Sequence, residues 1–190
     1  MALTELQRDG LAEYITIGVG RAAAQLAAMT GRPVALSVPR IWLVGDLAEV
    51  AGDGGPVSFV EQAFNGPLAG SVALVFPVPD GHRLVCLMLG EDVSALPDAE
   101  RAAALTEVGN VVVNAVMGSL ANLTRLELAF ALPEYREGPV TTLAAAGGGA
   151  LLAAEVGFAL DGQAVHGRLL LFFALGTIER LAALLDAAAG

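Results

Sequence analysis

The chain has 190 residues, 55% of them apolar, and carries a formal charge of −10 from twenty acids, ten arginines and no lysine. Such an acidic surface repels a phosphate backbone and argues against nucleic-acid partners, while the length suits one domain, or two fused halves, burying roughly 70% of the unfolded chain's surface. With Cys86 as the one cysteine, an internal disulfide and thiol-rich metal ligation are excluded, and an intracellular, cytoplasmic setting is expected.

The mean hydropathy of +0.65 owes much to alanine. The longest uncharged stretches, Val108 to Thr124 and Gly138 to Ala154, are interrupted by Asn110, Asn114 and Asn122 or by Gly147 to Gly149. Neither supplies the ~20 strongly apolar residues of a membrane-spanning helix. The N-terminus lacks a basic region before an apolar core, so no signal peptide is expected.

From Leu3 to about Met29 the residues Leu3, Leu6, Leu11, Ile15, Ala22, Leu26 and Met29 recur at helical spacing, with Thr4 as cap and Gly31 as stop. Val34 to Val44 reads as a strand that Pro39 interrupts or confines to an edge. A loop at Gly52 to Pro56 is followed by strands Val57 to Phe64 and Gly70 to Phe76, joined across Asn65-Gly66, a pair suited to a turn with positive φ at both central residues. Cys86 lies in the apolar run Leu84 to Leu89, where a small core residue is expected rather than a nucleophile. A short helix through Gly81 to Leu89 closes this half.

The second half repeats the order. A helix from about Asp98 to Leu123 has Leu105, Val108, Val112, Ala115, Val116 and Leu120 as its buried stripe. A strand around Leu126 to Leu132 ends at Pro133, and a Gly/Ala-rich loop spans Arg136 to Gly149. Leu151 to Leu160 and Val165 to Ala174 form a hairpin around Asp161-Gly162, and Thr177 to Leu185 forms the closing helix. The expected fold is a single α+β domain, residues 1–190, made of two repeats of about 1–95 and 96–190. It has a mostly antiparallel sheet and two long helices related by a pseudo-twofold axis.

Glu107 and Asn110 stand at i and i+3, side by side on one helix face, with Asn114 a turn further on. An exposed carboxylate beside a carboxamide can grip a partner's cation and orient a water molecule, which is most of what hydrolysis of a metal-bound phosphoryl group requires. Ninety-four residues upstream Glu13 and Thr16 stand in the same relation to Pro39 as Glu107 and Asn110 do to Pro133.

This pattern resembles the CheC family of chemotaxis phosphatases, relatives of CheX and FliY. Family members carry Asp or Ser, three residues, Glu, two residues, Asn, twenty-two residues and Pro, once or twice per chain. Glu107, Asn110 and Pro133 match the second copy, with Ala103 at the leading position, whereas Asp9, Glu13 and Pro39 match the first, with Thr16 at the Asn position. Gly18 to Ala23 and the strand Arg32 to Pro39 add to the likeness. The resemblance implies a protein-aspartyl-phosphate phosphatase that dephosphorylates a CheY-like response regulator. Glu107 would anchor the regulator's lysine and Asn110 would position the attacking water. Glu13 and Thr16 would then form a degenerate second site. It further implies no cofactor of the chain's own, Mg2+ supplied by the regulator, and a CheD-like deamidase as a further partner. The competing expectation is a non-catalytic response-regulator-binding or flagellar-switch-type assembly module, motivated by Ala103 and Thr16.

Other residues have plainer readings. Asn114 suits a solvated or inter-helix amide, and Asp9 a solvated first turn. His82 and His166 lack carboxylates or cysteines at ligand spacing. Gly18-Val-Gly20 lies within a helix rather than after a strand, which argues against dinucleotide binding. Pro39 and Pro133 fit strand edges.

Overall fold

A computed structural model describes residues 3–44, 55–90, 97–125, 127–143, 150–160, 162–174 and 176–189. Most of the Gly52 to Pro56 loop, Asp161 and the Gly147 to Gly149 stretch lie outside them.

Helix α1 (Glu5–Thr30) starts where Thr4 and Gln7 cap each other: the Gln7 N–H donates to the Thr4 hydroxyl and the Thr4 N–H to Gln7 Oε1. Thr4→Ala is expected to lower stability by about 1 kcal/mol, read from a urea midpoint. The helix stops at Gly31, whose φ of +65° is left-handed. Its buried stripe is Leu11, Ile15, Gly18, Val19, Ala22 and Leu26. Leu6 and Met29, expected in that stripe, are 71% and 48% exposed: Leu6 falls off the line that faces the core, and Met29, though on that line, lies in the last turn.

Helix α2 (Val78–Leu89) begins three residues earlier than Gly81, with Pro77 at its N-cap. Helix α3 (Asp98–Thr124) buries all six residues of its expected stripe. By length and composition its stretch Asp98–Asn122 is apolar enough to cross a bilayer, yet half of its apolar 18-residue window is buried within this fold, as in a core helix. Helix α4 (Thr177–Ala189) closes the chain.

The strands are β1 (Val34–Val44), β2 (Val57–Asn65), β3 (Gly70–Pro77), β4 (Ala129–Phe130), β5 (Glu134–Gly138), β6 (Ala150–Leu160) and β7 (Gln163–Phe173). They form one sheet in the order β1-β6-β7-β3-β2-β4, with β5 also on β2, and every pairing among the described residues is antiparallel. The molecule is thus α+β. Exchanging the halves, so that β1 takes the place of β4/β5 and the two hairpins swap, leaves this order unchanged. Each half's first strand therefore pairs with the other half's hairpin.

One sheet face meets α1 and α3 through Val60, Phe64, Val72, Leu74, Phe76, Leu152, Leu169 and Leu171. The opposite face carries Phe59, Val75, Leu170 and Phe172 and is covered by Val140 and Leu143 around a 3-10 turn. Burial on both sides explains the near-continuous apolar runs of β3 and β7.

Three expectations are corrected. Of the strand expected over Leu126 to Leu132, Leu126 lies outside the described residues and Ala129–Phe130 forms the strand; Ala131 still donates its N–H to Ala63 O, and the chain departs from β2 at Leu132-Pro133, Pro133 having no N–H to offer. Glu134 to Gly138 pair with β2, so the expected loop gives up Arg136 to Gly138 to a strand; the polar sequence EYREG gave no apolar alternation. The hairpin across Asn65-Gly66 forms, but not with a two-residue turn. Asn65 stays in a ladder opposite Ala129, and the chain reverses between Phe64 and Gly70. The Asp161-Gly162 hairpin does close in two residues, Leu160 pairing with Gln163 and Gly162 taking a φ of +76°. Pro39 lies in edge strand β1, where the register against β6 shifts between Ser37 and Arg40.

Candidate functional site

The outward face of α3 is set by what its inner face touches. Gly109 rests on Val60 of β2, where a Cβ would come within 2.5 Å of the valine Cβ, and Gly18 of α1 lies against Val116 of α3, where a Cβ would come within 2.5 Å of the Val116 Cα. Two glycines thus bring α3 down onto the sheet and against α1. With Val108, Val112 and Val116 buried, Glu107, Asn110 and Asn114 are turned away from the core.

Glu107 is exposed and forms no hydrogen bond or ion pair with another described residue. Asn110 is partly exposed, and its Oδ1 accepts from Asn114 Nδ2 at 2.7 Å. Asn114 is therefore both solvated and engaged, along α3 rather than between helices. The bond fixes the Asn110 amide while leaving Oδ1 a second lone pair and Nδ2 both hydrogens. Ala103, one turn before Glu107, is exposed and adds no polar group. Pro133, between β4 and β5, is partly buried, and Leu132 before it is 86% exposed.

On α1, Asp9, Glu13 and Thr16 are all exposed. The Thr16 hydroxyl turns back onto its own helix, donating to Ala12 O at 2.8 Å. Beside Asp9 and Glu13 a hollow of about 370 Å³ is closed by Leu185 and Asp186 of α4. Gln7 Nε2 donates to both Asp186 oxygens at 3.0 Å, which ties α4 to the start of α1.

His82 and His166 are not brought together. His82 Nε2 is 3.4 Å from Glu137 Oε1, His166 is exposed on β7, and no group of three His, Cys, Asp or Glu able to hold a metal occurs among the described residues. Cys86 is partly buried against the main core. The sequence reading missed two groups. Tyr135 donates to Glu137, and burial first, then that hydrogen bond, raise its phenol well above the usual range, so it stays a neutral donor beside Arg101 and Ala102 of α3. Gln62 is 5% exposed on β2 and donates from Nε2 to Ala131 O at 2.8 Å. A glutamine at a position alternating with Val60 and Phe64 on the apolar face of β2 was the available signal.

No protein-family model matches the chain. It is 29% identical over 139 residues to the CheY-P phosphatase CheC of Bacillus subtilis (strain 168), a match covering 70% of this chain and 66%, slightly under two-thirds, of that relative. Its fold superposes on Thermotoga maritima FliY with a TM-score of 0.77 at 18% identity, over 99% of this chain and 100% of that one. The chain is CheC/CheX/FliY-like. The CheC-like fold also matches FliM in a FliG–FliM complex from H. pylori, with a TM-score of 0.74 at 9% identity over 95% and 100% of the two chains. It matches the CheX–CheY–BeF3–Mg2+ complex from Borrelia burgdorferi as well, with a TM-score of 0.52 at 18% identity over 85% and 99%. At these identities the structural likenesses show the fold alone.

Proposed function

We propose that this CheC-like chain is a phosphatase of the cytoplasm that hydrolyses the aspartyl phosphate of a CheY-like response regulator in chemotaxis signalling. The observation that carries the reading is the unpaired, exposed Glu107 carboxylate one helical turn from the Asn110 amide on a long helix seated on the sheet. The CheC relative's name and the CheX–CheY complex among the fold's matches support the same partner.

In this reading Glu107 pairs with the lysine of the regulator's phosphorylation site, and docking carries Asn110 to the acyl phosphate. The Asn110 carboxamide holds a water in line with the bond to be broken. The water oxygen bonds to phosphorus, the phosphorus–oxygen bond to the aspartate breaks, and the products are a free carboxylate and inorganic phosphate. Neither Glu107 nor Asn110 forms a covalent bond; their contribution is orientation. The magnesium ion belongs to the regulator.

The test is phosphate release from a phosphorylated regulator with sub-stoichiometric chain present. Rates equal to spontaneous loss would reject the enzyme. Because Asn114 fixes the Asn110 amide, Asn114→Ala is expected to lower kcat by roughly 3- to 10-fold with KM little changed, as stopped-flow turnover would show. At the first copy, Thr16 presents a short hydroxyl already bonded to its own helix. Glu13→Ala is therefore expected to leave phosphate release within about two-fold of wild type.

The second reading, a regulator-binding or switch-type assembly module, draws on the FliM match and on Ala103 and Thr16. Binding of an activated regulator without faster phosphate loss would favour it.

A further inference from the structure

Gln62 is a buried polar group for which the pair on α3 has no direct use. It sits on β2 between Val60 and Phe64, on the sheet face turned to α3, and its Oε1 is buried with no hydrogen-bond partner. An amide left half unpaired in a core is costly, so a valine or leucine would serve packing better. What the amide does is reach sideways: Nε2 holds Ala131 O at 2.8 Å while the Ala131 N–H donates to Ala63 O at 3.0 Å. Ala131 is thereby tied twice to β2 at the point where the chain leaves the ladder. The next residue, Leu132, is 86% exposed, more than any other large apolar side chain among the described residues.

The register says where this segment lies. Val60 receives Gly109 of α3 and pairs with Tyr135 of β5, and Tyr135 lines a hollow with Arg101 and Ala102 of α3. Glu134 pairs with Glu61, so toward Pro133 and Leu132 the chain runs on past Val60, the residue on which Gly109 of α3 rests between Glu107 and Asn110. A lone exposed leucine is ordinary. One displayed by a segment held from beneath by a buried amide is a built feature.

We infer that Gln62 is a positioning residue for docking. It holds Ala131 to Pro133 as a lip beside α3, and Leu132 on that lip makes an apolar contact with the response regulator while Glu107 and Asn110 reach its phosphorylation site. The inference rests on the phosphatase reading and adds to it an apolar patch on the partner next to its active-site lysine.

The experiment measures binding to a CheY-like regulator loaded with beryllofluoride and Mg2+, and kcat and KM on the phosphorylated form. Leu132→Ser tests the contact, Gln62→Met the tether, and Leu89→Ser, at the far end of α2, serves as control. Leu132→Ser is expected to raise Kd and KM roughly ten-fold with kcat within about two-fold, since one apolar anchor is lost and the chemistry is untouched. Gln62→Met is expected to raise both by about three-fold, with an unchanged circular dichroism spectrum, and Leu89→Ser to change neither. Leu132 is solvent-exposed, so its substitution does not put folding at stake. Unchanged Kd in Leu132→Ser, or a fall in kcat at unchanged Kd, would overturn the lip. A wild-type chain that neither binds nor hydrolyses would overturn the phosphatase reading itself, a different failure.

Discussion

Asn110→Ala is expected to lower phosphate release from a phosphorylated CheY-like regulator by roughly 10²- to 10³-fold while leaving affinity for the activated regulator within about two-fold. The size follows from the division of labour. In the proposed mechanism Glu107 pairs with a cation in the ground state and in the transition state alike, so its loss would be a loss of binding. Asn110 is proposed to act on the water that becomes the nucleophile, and an interaction confined to the transition state appears in kcat. Glu107→Gln should show the complementary pattern, a raised KM with smaller change in kcat. If Asn110→Ala turns over at the wild-type rate, the assigned water-positioning role is wrong. If it also binds no regulator, the amide is a docking group and the assembly reading gains.

Gly18→Leu is expected to destabilise the chain by about 3 kcal/mol or more, whereas Gly20→Ala two residues away should stabilise it by about 0.5–1 kcal/mol. At Gly18 a Cβ would meet backbone, Val116 Cα at 2.5 Å and Ala115 O at 3.0 Å, and backbone cannot rotate out of the way. The two long helices would have to part, opening the stripes that both bury. At Gly20 nothing lies within 4 Å, so the substitution simply removes glycine's excess freedom in the unfolded chain. For a chain of this length the first change corresponds to a fall of about 6–12 °C in melting temperature. Small and equal effects at the two positions would contradict the close approach of α1 and α3.

Much of this was legible from residues alone because the decisive signals were local. Thr4 and Gly31 bracket α1, the Leu105 to Leu120 stripe defines α3, and Asp161-Gly162 closes its hairpin in two residues. The i, i+3 placement of Glu107 and Asn110 followed from helical geometry, and their exposure agrees with it. What escaped was non-local. The short, polar β5 exists because β2 is there to receive it, not because Glu134 to Gly138 favours extension. Asn65-Gly66 has the composition of a tight turn, but pairing of Asn65 with Ala129 overrides it. The pairing of Asn114 with Asn110, and the tether from Gln62 to Ala131, are decided by side-chain reach across turns and strands, which spacing alone does not specify.

The crossed arrangement of the sheet gives the Thr16-bearing half a duty independent of its own chemistry. Val60 and Gln62, which seat α3 and hold the segment before Pro133, both come from that half. In the proposed reading, the half whose own pair is Glu13 and Thr16 still furnishes the strand on which the helix bearing Glu107 and Asn110 rests. Division of the chain between the two halves is therefore expected to leave α3 without the strand beneath it, whatever becomes of Glu13 and Thr16.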